Sequence, residues 1–414
     1  MNTERLLERF LEFVQIDTTA RPEADSYPSS PGQLILGKRI CEHLAAAGIE
    51  VRQDEHGIVW ADLPANVDRD VPRVAFCAHL DTSPELPGAE VRPQVIRNYA
   101  GGDIPLPGSP ERVIRFDETP ALRQALGCTI ITSDGTTLLG ADDKSGVAAI
   151  VEAFTYLAEH PEIPHGPLRA CFTCDEEIGH GVDHITAYKM DAVCCYTLDG
   201  VGTDTIDVET FSADEAKIVI EGVNVHPAIG KGKLVSALKA MASLVNRFPR
   251  NQLAPEATEG REGFLHPHRM EGTVERAELR ILLRDFETGQ LVRQAAMLER
   301  MISEVREEFP GIKVDFEVRK QYRNLRDGLK NEPRVVAFAE EALRALGRTP
   351  RRAIVRGGTD GSLLTEKGVP TPNLSSGQYT PHAFTEWACL EHIELAARWV
   401  VAIAQRWCDS EAAR

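Results

Sequence analysis

Three nearly continuous apolar segments constrain the fold of this chain more than any other feature. They cover residues 74–78, 168–173 and 192–197 and contain few charged side chains. Strands of this composition are typical of a parallel sheet that helices cover on both faces. Segments between them have the apolar spacing of amphipathic helices. We therefore predict an α/β fold class, with a mostly parallel sheet flanked by helices.

Acidic or histidine residues follow each of these segments directly. His-Leu-Asp stands at 79–81 after the first, Asp-Glu-Glu at 175–177 after the second, and Asp199 after the third. In open α/β sheets, ligands bind beyond the carboxyl ends of the strands. The sequence therefore predicts a polar site at this edge of the sheet.

An adjacent acid pair, Asp142 and Asp143, precedes an apolar helix predicted at 147–157. Like charges repel and a carboxylate resists dehydration, so the pair is a poor structural choice at a strand-to-helix junction. One aspartate would suffice if its role were only to cap the helix. A bound cation would remove both penalties, and we interpret Asp142 as a ligand shared by two metal ions.

Each of the other candidate side chains also has a purely structural explanation. His79 and Asp81 could form a capped turn, the acids at 175–177 a solvated loop, and Asp199 a common turn with the glycine that follows it. His382 stands alone in a loop with glycine and proline. Together, however, these residues form a set of oxygen and imidazole donors without thiolate, which suits two Zn²⁺, with Co²⁺ or Mn²⁺ as alternatives.

The sequence pattern changes near residue 212. Residues 312–318 alternate strictly between apolar and charged, which marks a sheet with one solvated face. The element order predicted over 212–323 is βαββαβ, an inserted ferredoxin-like α+β domain. The flanking segments 1–211 and 324–414 would together form a discontinuous metal-binding domain.

Residues 82–128 are rich in proline and glycine. The segment is too long for an ordinary loop, and loops of this length in compact domains are usually functional. We predict that it is an excursion of the chain near the site.

The charge balance excludes several classes of partner. The chain carries 46 basic and 63 acidic residues, a formal charge of −17, with a pI near 5.2. Nucleic acids and anionic membranes require clustered positive charge, so neither is an expected partner. Its nine cysteines are an odd number without framework spacing, and the first residues lack the apolar core of a signal peptide, so we predict a cytoplasmic location.

Eight segments together resemble the co-catalytic zinc metallopeptidases that include aminoacylase, succinyl-diaminopimelate desuccinylase and carboxypeptidase G. The resemblance spans nearly the whole chain. It implies a zinc-peptidase fold in which the inserted domain acts as a lid and mediates formation of a homodimer. The matching segments lie at 78–84, 98–104, 137–146, 175–179, 224–227, 258–264, 284–286 and 356–361.

The resemblance also implies a set of metal ligands. One metal would be bound by His79, Asp142 and Asp199. The other would be bound by Asp142, Glu177 and His382, so that Asp142 bridges the two ions.

Further roles follow from the same resemblance. Asp81 would orient His79, Glu176 would be the general base, and His226 of the Asn-x-His motif would polarise the scissile carbonyl, often across a dimer. Ala228 stands where the family usually has glycine. The implied substrate-binding residues are Asn224, Arg284 and Arg356.

The implied activity is removal of the N-terminal residue from tripeptides with a free amino terminus. Glu176 would deprotonate a water that bridges the two metals. Two alternatives remain open: a related amide hydrolase acting on dipeptides or N-acyl amino acids, and a non-catalytic metal- or peptide-binding protein of the same fold. A binding protein would not need Glu176, which speaks against the second alternative.

Overall fold

The computed structural model describes residues 1–410, which form ten α-helices and seventeen strands. The helices are α1 (Thr3–Val14), α2 (Pro31–Ala46), α3 (Ala141–Glu159), α4 (Ala187–Met190), α5 (Ala237–Val245), α6 (Thr288–Glu308), α7 (Arg326–Leu329), α8 (Arg334–Ala345), α9 (Asp360–Glu366) and α10 (Leu390–Cys408). The strands are β1 (Glu50–Gln53), β2 (Val59–Leu63), β3 (Val74–His79), β4 (Gln94–Ile96), β5 (Ile104–Pro105), β6 (Val113–Ile114), β7 (Ile130–Thr132), β8 (Leu168–Thr173), β9 (Cys194–Val201), β10 (Thr205–Thr210), β11 (Ser212–Glu221), β12 (Phe264–Gly272), β13 (Arg276–Asp285), β14 (Lys313–Tyr322), β15 (Arg351–Val355), β16 (Asn373–Tyr379) and β17 (Trp387–Cys389).

The chain divides into two compact units. The first contains residues 1–208, 325–353 and the described part of 359–414, and the second contains 209–324 and 354–358. The last four residues of the segment predicted at 324–414 lie outside the described residues.

The main sheet has eleven strands in the order β1-β2-β8-β3-β9-β16-β17-β7-β4, with β10 paired to β16 and to β15. Its four central strands, β8, β3, β9 and β16, are parallel. The marginal strands β1, β2, β17, β7 and β4 pair antiparallel. The predicted α/β class is confirmed, and parallel pairing is concentrated at the centre of the sheet.

Strand β3 shows why the apolar segments are continuous. Val74, Phe76 and Ala78 point into a core shared with α1, α3 and α10. Ala75 and Cys77 point to the opposite face, into a second core that includes Leu364 of α9. Because both faces are covered, every residue of the strand is buried.

The second unit contains a four-stranded antiparallel sheet in the order β12-β13-β11-β14. Its elements follow one another as β11, α5, β12, β13, α6 and β14, which is the predicted βαββαβ order. The helices contribute Met241, Leu244, Leu298 and Ile302 to a core against one face of this sheet. In β14, the half-buried Val314 and Phe316 pack against this core and alternate with exposed charged residues, as its sequence predicts.

Residues 82–128 contain short strands and a small core of their own, with Tyr99, Ile104 and Leu122 packed beside Trp387. Among the described residues, none of the helices combines the length and the apolar character needed to cross a membrane.

Candidate metal centre

The centre lies at the carboxyl ends of the parallel strands of the first unit. His79 is the last residue of β3, and Asp199 lies near the end of β9. Glu176 and Glu177 begin a single 3₁₀ turn, Glu176–Ile178, just after β8. Since β8, β3 and β9 are neighbours, these side chains converge at one edge of the sheet.

Asp142 and Asp143 lie at the start of α3, where the helix is interrupted. Neither residue has helical backbone angles, and the peptide bond between them is cis. The Asp143 carboxylate is buried and accepts hydrogen bonds from the backbone N–H groups of His79 and Gly146, both at 3.2 Å. Asp143 therefore ties the start of α3 to the end of β3.

Asp142 lies between two histidines. Its Oδ1 is 3.0 Å from His79 Nε2, and its Oδ2 is 3.5 Å from His382 Nε2. His79 Nε2 is also 3.7 Å from Asp199 Oδ1, and His382 Nε2 is 3.0 Å from Glu177 Oε2. The donors thus form two sets that share Asp142, each with one imidazole and one further carboxylate.

These two sets fit a pair of cations better than they fit hydrogen bonds alone. Each Nε2 faces two carboxylates, although a ring nitrogen can give its one proton to only one acceptor at a time. Donor atoms 3.0–3.7 Å apart can surround a Zn²⁺ ion, whose bonds to nitrogen and oxygen are about 2.0–2.2 Å long. The chemistry of the donor set therefore fits two divalent metal ions.

Electrostatics support this conclusion. Burial, with repulsion from Asp142, raises the pKa of Asp199 to about 7 and also raises the pKa of Glu177. Burial lowers the pKa of His79, but hydrogen bonds to Asp142, Asp199 and Asp81 outweigh it and raise that pKa well above its usual value. So many carboxylates in one buried place call for positive charge, which a cation would supply.

Asp81 contacts both His79 and the 3₁₀ turn that contains Glu176 and Glu177. His79 Nδ1 lies 3.0 Å from the backbone oxygen of Asp81 and 3.5 Å from its Oδ1. The same carboxylate accepts hydrogen bonds from the backbone N–H groups of Glu176 and Glu177, both at 3.0 Å. Asp81 thus couples the ring of His79 to the position of the two glutamates.

The Glu176 carboxylate has no fixed hydrogen-bond partner. Within residues 1–410 it accepts no hydrogen bond from another side chain or backbone group. Burial raises its pKa well above the usual value, and the nearby Asp360, Asp199 and Glu177 add to this effect. A more basic carboxylate is a better proton acceptor, as a general base requires.

Glu386 is a component of the centre that the sequence analysis missed. This buried carboxylate accepts hydrogen bonds from the backbone N–H groups of Leu139 (2.7 Å), Gly140 (2.8 Å) and Asp142 (3.0 Å). It therefore holds the segment that presents Asp142. The only signal in the sequence was that Glu386 is an acid four residues after His382. This signal is weak, because the hydrogen-bond partners of Glu386 lie more than 240 residues away.

His382 belongs to a more open part of the centre. Its side chain is 37% exposed, and its backbone has a positive φ of 57°. Its Nδ1 lies 3.4 Å from Glu85 Oε2, and two residues later Phe384 stacks under Arg112, whose guanidinium carbon is 3.5 Å from the ring centroid. Glu85 and Arg112 both belong to residues 82–128, so that segment does reach the candidate centre.

Arg284, which lies in the second unit, is buried at the end of β13. Its Nη1 donates to the backbone oxygens of Asp214 and Leu283, both at 3.0 Å. Within the described residues, its Nε and Nη2 groups make no hydrogen bond. These donors are available for a ligand.

The other predicted substrate residues of the second unit differ in exposure. Asn224 and His226 are exposed, and His226 Nδ1 accepts a hydrogen bond from the N–H of Ala228 at 3.2 Å. Arg356 instead holds a loop of its own unit, by donating to the backbone oxygens of Gly260 and Glu262. These hydrogen bonds fix the position of its guanidinium group.

Known proteins similar to this chain are peptidases. Residues 135–406 match the profile of peptidase family M20/M25/M40. Peptidase T of Geobacillus sp. (strain WCH70) is 41% identical over 399 residues, which cover 96% of this chain and 97% of that protein. The crystal structure of aminopeptidase PepT from Bacillus cereus ATCC 10987 is similar with a TM-score of 0.76 and 27% identity, over 98% of this chain and 99% of that one. A tripeptidase from Staphylococcus aureus subsp. aureus Mu50 gives a TM-score of 0.77 and 25% identity, over 99% and 100%. The chain therefore belongs to peptidase family M20/M25/M40.

Proposed function

We propose that this protein is a dizinc aminopeptidase that removes the N-terminal residue from tripeptides. The observation that carries the proposal is the pair of donor sets sharing Asp142, with the unpartnered Glu176 carboxylate beside them. The names of its relatives, peptidase T and tripeptidase, support the substrate class.

His79, Asp142 and Asp199 would hold one Zn²⁺, and Asp142, Glu177 and His382 the other. When bound, the two ions would supply Lewis-acid activation of water and of the scissile carbonyl. Co²⁺ or Mn²⁺ could replace Zn²⁺ in such a donor set.

The chain's own residues would move the proton. Glu176 would accept a proton from the attacking water as the water adds to the peptide carbonyl. It would then deliver that proton to the leaving amine nitrogen, as the C–N bond breaks. Asp81 fixes the backbone of Glu176 by accepting its N–H, so the base would act from a defined position in the chain.

Four residues outside the donor sets would contact the substrate. His226 would donate a hydrogen bond to the carbonyl oxygen as negative charge develops on it, an effect typically worth about 3–4 kcal/mol. Arg284 would bind the peptide's terminal carboxylate through its remaining donors, and Asn224 and Arg356 would complete the binding surface. We also propose that the protein is a homodimer in which His226 acts on the partner's centre.

The free cysteines support a location in the cytoplasm. All nine are unpaired, and seven of them are buried. Unpaired thiols are typical of proteins in a reducing compartment.

The decisive experiment compares one tripeptide with its N-acetylated form, using Zn²⁺-reconstituted protein. We expect release of only the first residue, and only from the free-amine peptide. Cleavage of the acetylated peptide would instead favour an N-acyl amino acid hydrolase. Failure to cleave either peptide, with two metal ions bound, would favour a binding protein.

A second experiment tests the proposed role of His226. Homodimers of His226→Ala and of Glu176→Gln should each have strongly reduced activity, whereas co-expressed mixtures should regain part of the wild-type activity. Mixed dimers without activity would rule out action across the dimer. Unchanged turnover in His226→Ala would remove this residue from catalysis.

A further inference from the structure

The candidate metal centre described above, with the two donor sets that share Asp142, is called the carboxylate centre below. A second group of metal-ligating side chains is separate from it. It consists of Cys128, Cys389 and His392, whose donor atoms all lie within 4.8 Å of one another. Cys128 stands two residues before β7, and Cys389 is the last residue of β17, opposite Ile130 of β7. His392 lies in the first turn of α10. Three elements therefore bring their side chains to one point.

The histidine of this group is held in a defined orientation. Its Nδ1 is 2.7 Å from the hydroxyl of Tyr379, and the Tyr379 ring is stacked on Trp387 with 3.9 Å between centroids. Within the described residues, the Nε2 atom makes no hydrogen bond. Metal-binding histidines usually have this arrangement, with the second ring nitrogen fixed by a hydrogen bond.

A carboxylate lies beside one of the two thiols. Glu391 Oε2 is 3.6 Å from Cys389 Sγ and accepts the backbone N–H of Thr129 at 2.8 Å. That hydrogen bond occupies one carboxylate oxygen, whereas Oε1 has no such partner within the described residues. Two thiols and one imidazole make up a three-donor set of the kind that zinc binds when water takes the fourth position.

In the absence of a metal, burial favours the uncharged forms of the two thiols and of the imidazole. Cys389 is fully buried and His392 is 9% exposed, in a cluster that includes Trp387. Burial raises the pKa of both thiols and lowers the pKa of the imidazole. A neutral imidazole is ready to bind a metal, and each thiol would release a proton on binding.

We propose that Cys128, Cys389 and His392 bind one thiophilic divalent cation, Zn²⁺, at a site separate from the carboxylate centre. The ion would join the end of the 82–128 segment to the start of α10. This inference does not depend on the proposed peptidase activity. Of the metal-ligating groups found within residues 1–410, only this one contains sulfur.

The absence of sulfur from the carboxylate centre gives a selective test. Metal-free protein is titrated with Co²⁺, and the near-ultraviolet absorption of sulfur-to-cobalt charge transfer is followed. Oxygen and nitrogen ligands do not give this band, so the carboxylate centre is silent. We expect the band in the wild-type protein, together with one more equivalent of bound Co²⁺ than the carboxylate centre holds, and we expect Zn²⁺ to abolish the band.

Three variants assign the signal. Cys128→Ser and His392→Gln should lose the band and one equivalent of metal, while the metal of the carboxylate centre is retained. Cys41→Ser is the matched control, because Cys41 is also a partly exposed free thiol but lies on α2 outside the group. A variant that retains the metal of the carboxylate centre is folded. Substitution of the buried Cys389, which is more liable to disturb folding, is therefore not needed.

Three results would overturn the proposal. The first is absence of the band in wild-type protein with free thiols. The second is a band that survives in Cys128→Ser, which would assign it to other buried cysteines such as Cys77 and Cys171. The third is a Cys128–Cys389 disulfide in protein purified without oxidant.

Discussion

The two halves of the carboxylate centre are built differently, although they share Asp142. His79 is 3% exposed, and its partner Asp199 lies on a neighbouring parallel strand. His382 is 37% exposed and stands on a loop, where its outer contact is the exposed Glu85. We infer that the His79 half is preorganised by the sheet, whereas the His382 half is completed by loops that can adjust.

The largest expected effect concerns a residue that belongs to neither donor set. Glu176→Gln keeps the shape of the side chain and removes its basicity, so we expect turnover to fall by about 10²–10⁴-fold. Metal content should stay unchanged, because Glu176 belongs to neither donor set and its carboxylate makes no hydrogen bond within residues 1–410. The measurement is the turnover number on a tripeptide beside metal analysis of the same sample. Turnover within a few-fold of wild type would remove Glu176 as the base.

Substituting His79 and His382 in turn tests the difference between the two halves directly. His79→Ala leaves buried carboxylates without their partner, so we expect the unfolding free energy of the metal-free protein to fall by about 3–5 kcal/mol. His382→Ala removes a partly exposed contact, so the expected loss is about 1 kcal/mol or less. Denaturant unfolding of the two metal-free variants measures the difference.

Metal content provides the control for the comparison of His79→Ala with His382→Ala. His382→Ala should lose one ion and keep the other, because the donor set of His79, Asp142 and Asp199 is intact. Equal losses of stability in the two variants would show that the sheet does not preorganise the His79 half.

These residues also show what the sequence can predict about the centre. Donors at the ends of the apolar strands, such as His79 and Asp199, were predictable because burial on both faces leaves a clear pattern. The three hydrogen bonds of Glu386 were not, since they join residues far apart in sequence. Nor could local composition predict that Arg356 would anchor a loop of the second unit, because its acceptors are backbone oxygens.

The two halves should also respond to pH in different windows when the metal is absent. Asp199 has its pKa raised to about 7, so the folded state retains a proton that the unfolded chain loses. Its contribution to stability is complete below about pH 4 and is lost as the pH rises through 7. The pKa of His382 is raised to about 11 by Asp142 and Glu177, so its contribution is lost between about pH 6.5 and 11.

Two variants separate these windows. Asp199→Asn should flatten the dependence of unfolding free energy on pH between about 4 and 7, and His382→Gln should flatten it above about 6.5. The measurement is denaturant unfolding of metal-free protein across this pH range. If both variants flattened the same window, the two halves would titrate as one unit and the contrast between them would be wrong.

The smallest expected effect lies at the outer edge of the His382 half. Glu85 Oε2 is 3.4 Å from His382 Nδ1, so it can fix the ring tautomer that leaves Nε2 for a metal. Loss of such an outer partner typically costs 10–100-fold in metal affinity, and we expect about 10-fold here because the Glu85 side chain is 66% exposed. Glu85→Gln should weaken binding of the second ion and leave the first unchanged, as measured by competition with a chelator. Glu90→Gln is the matched control, since Glu90 is also an exposed acid of the 82–128 segment but makes no contact with His382. A weaker first ion in Glu85→Gln would mean that the loops influence the His79 half as well, and that the sheet alone does not set its geometry.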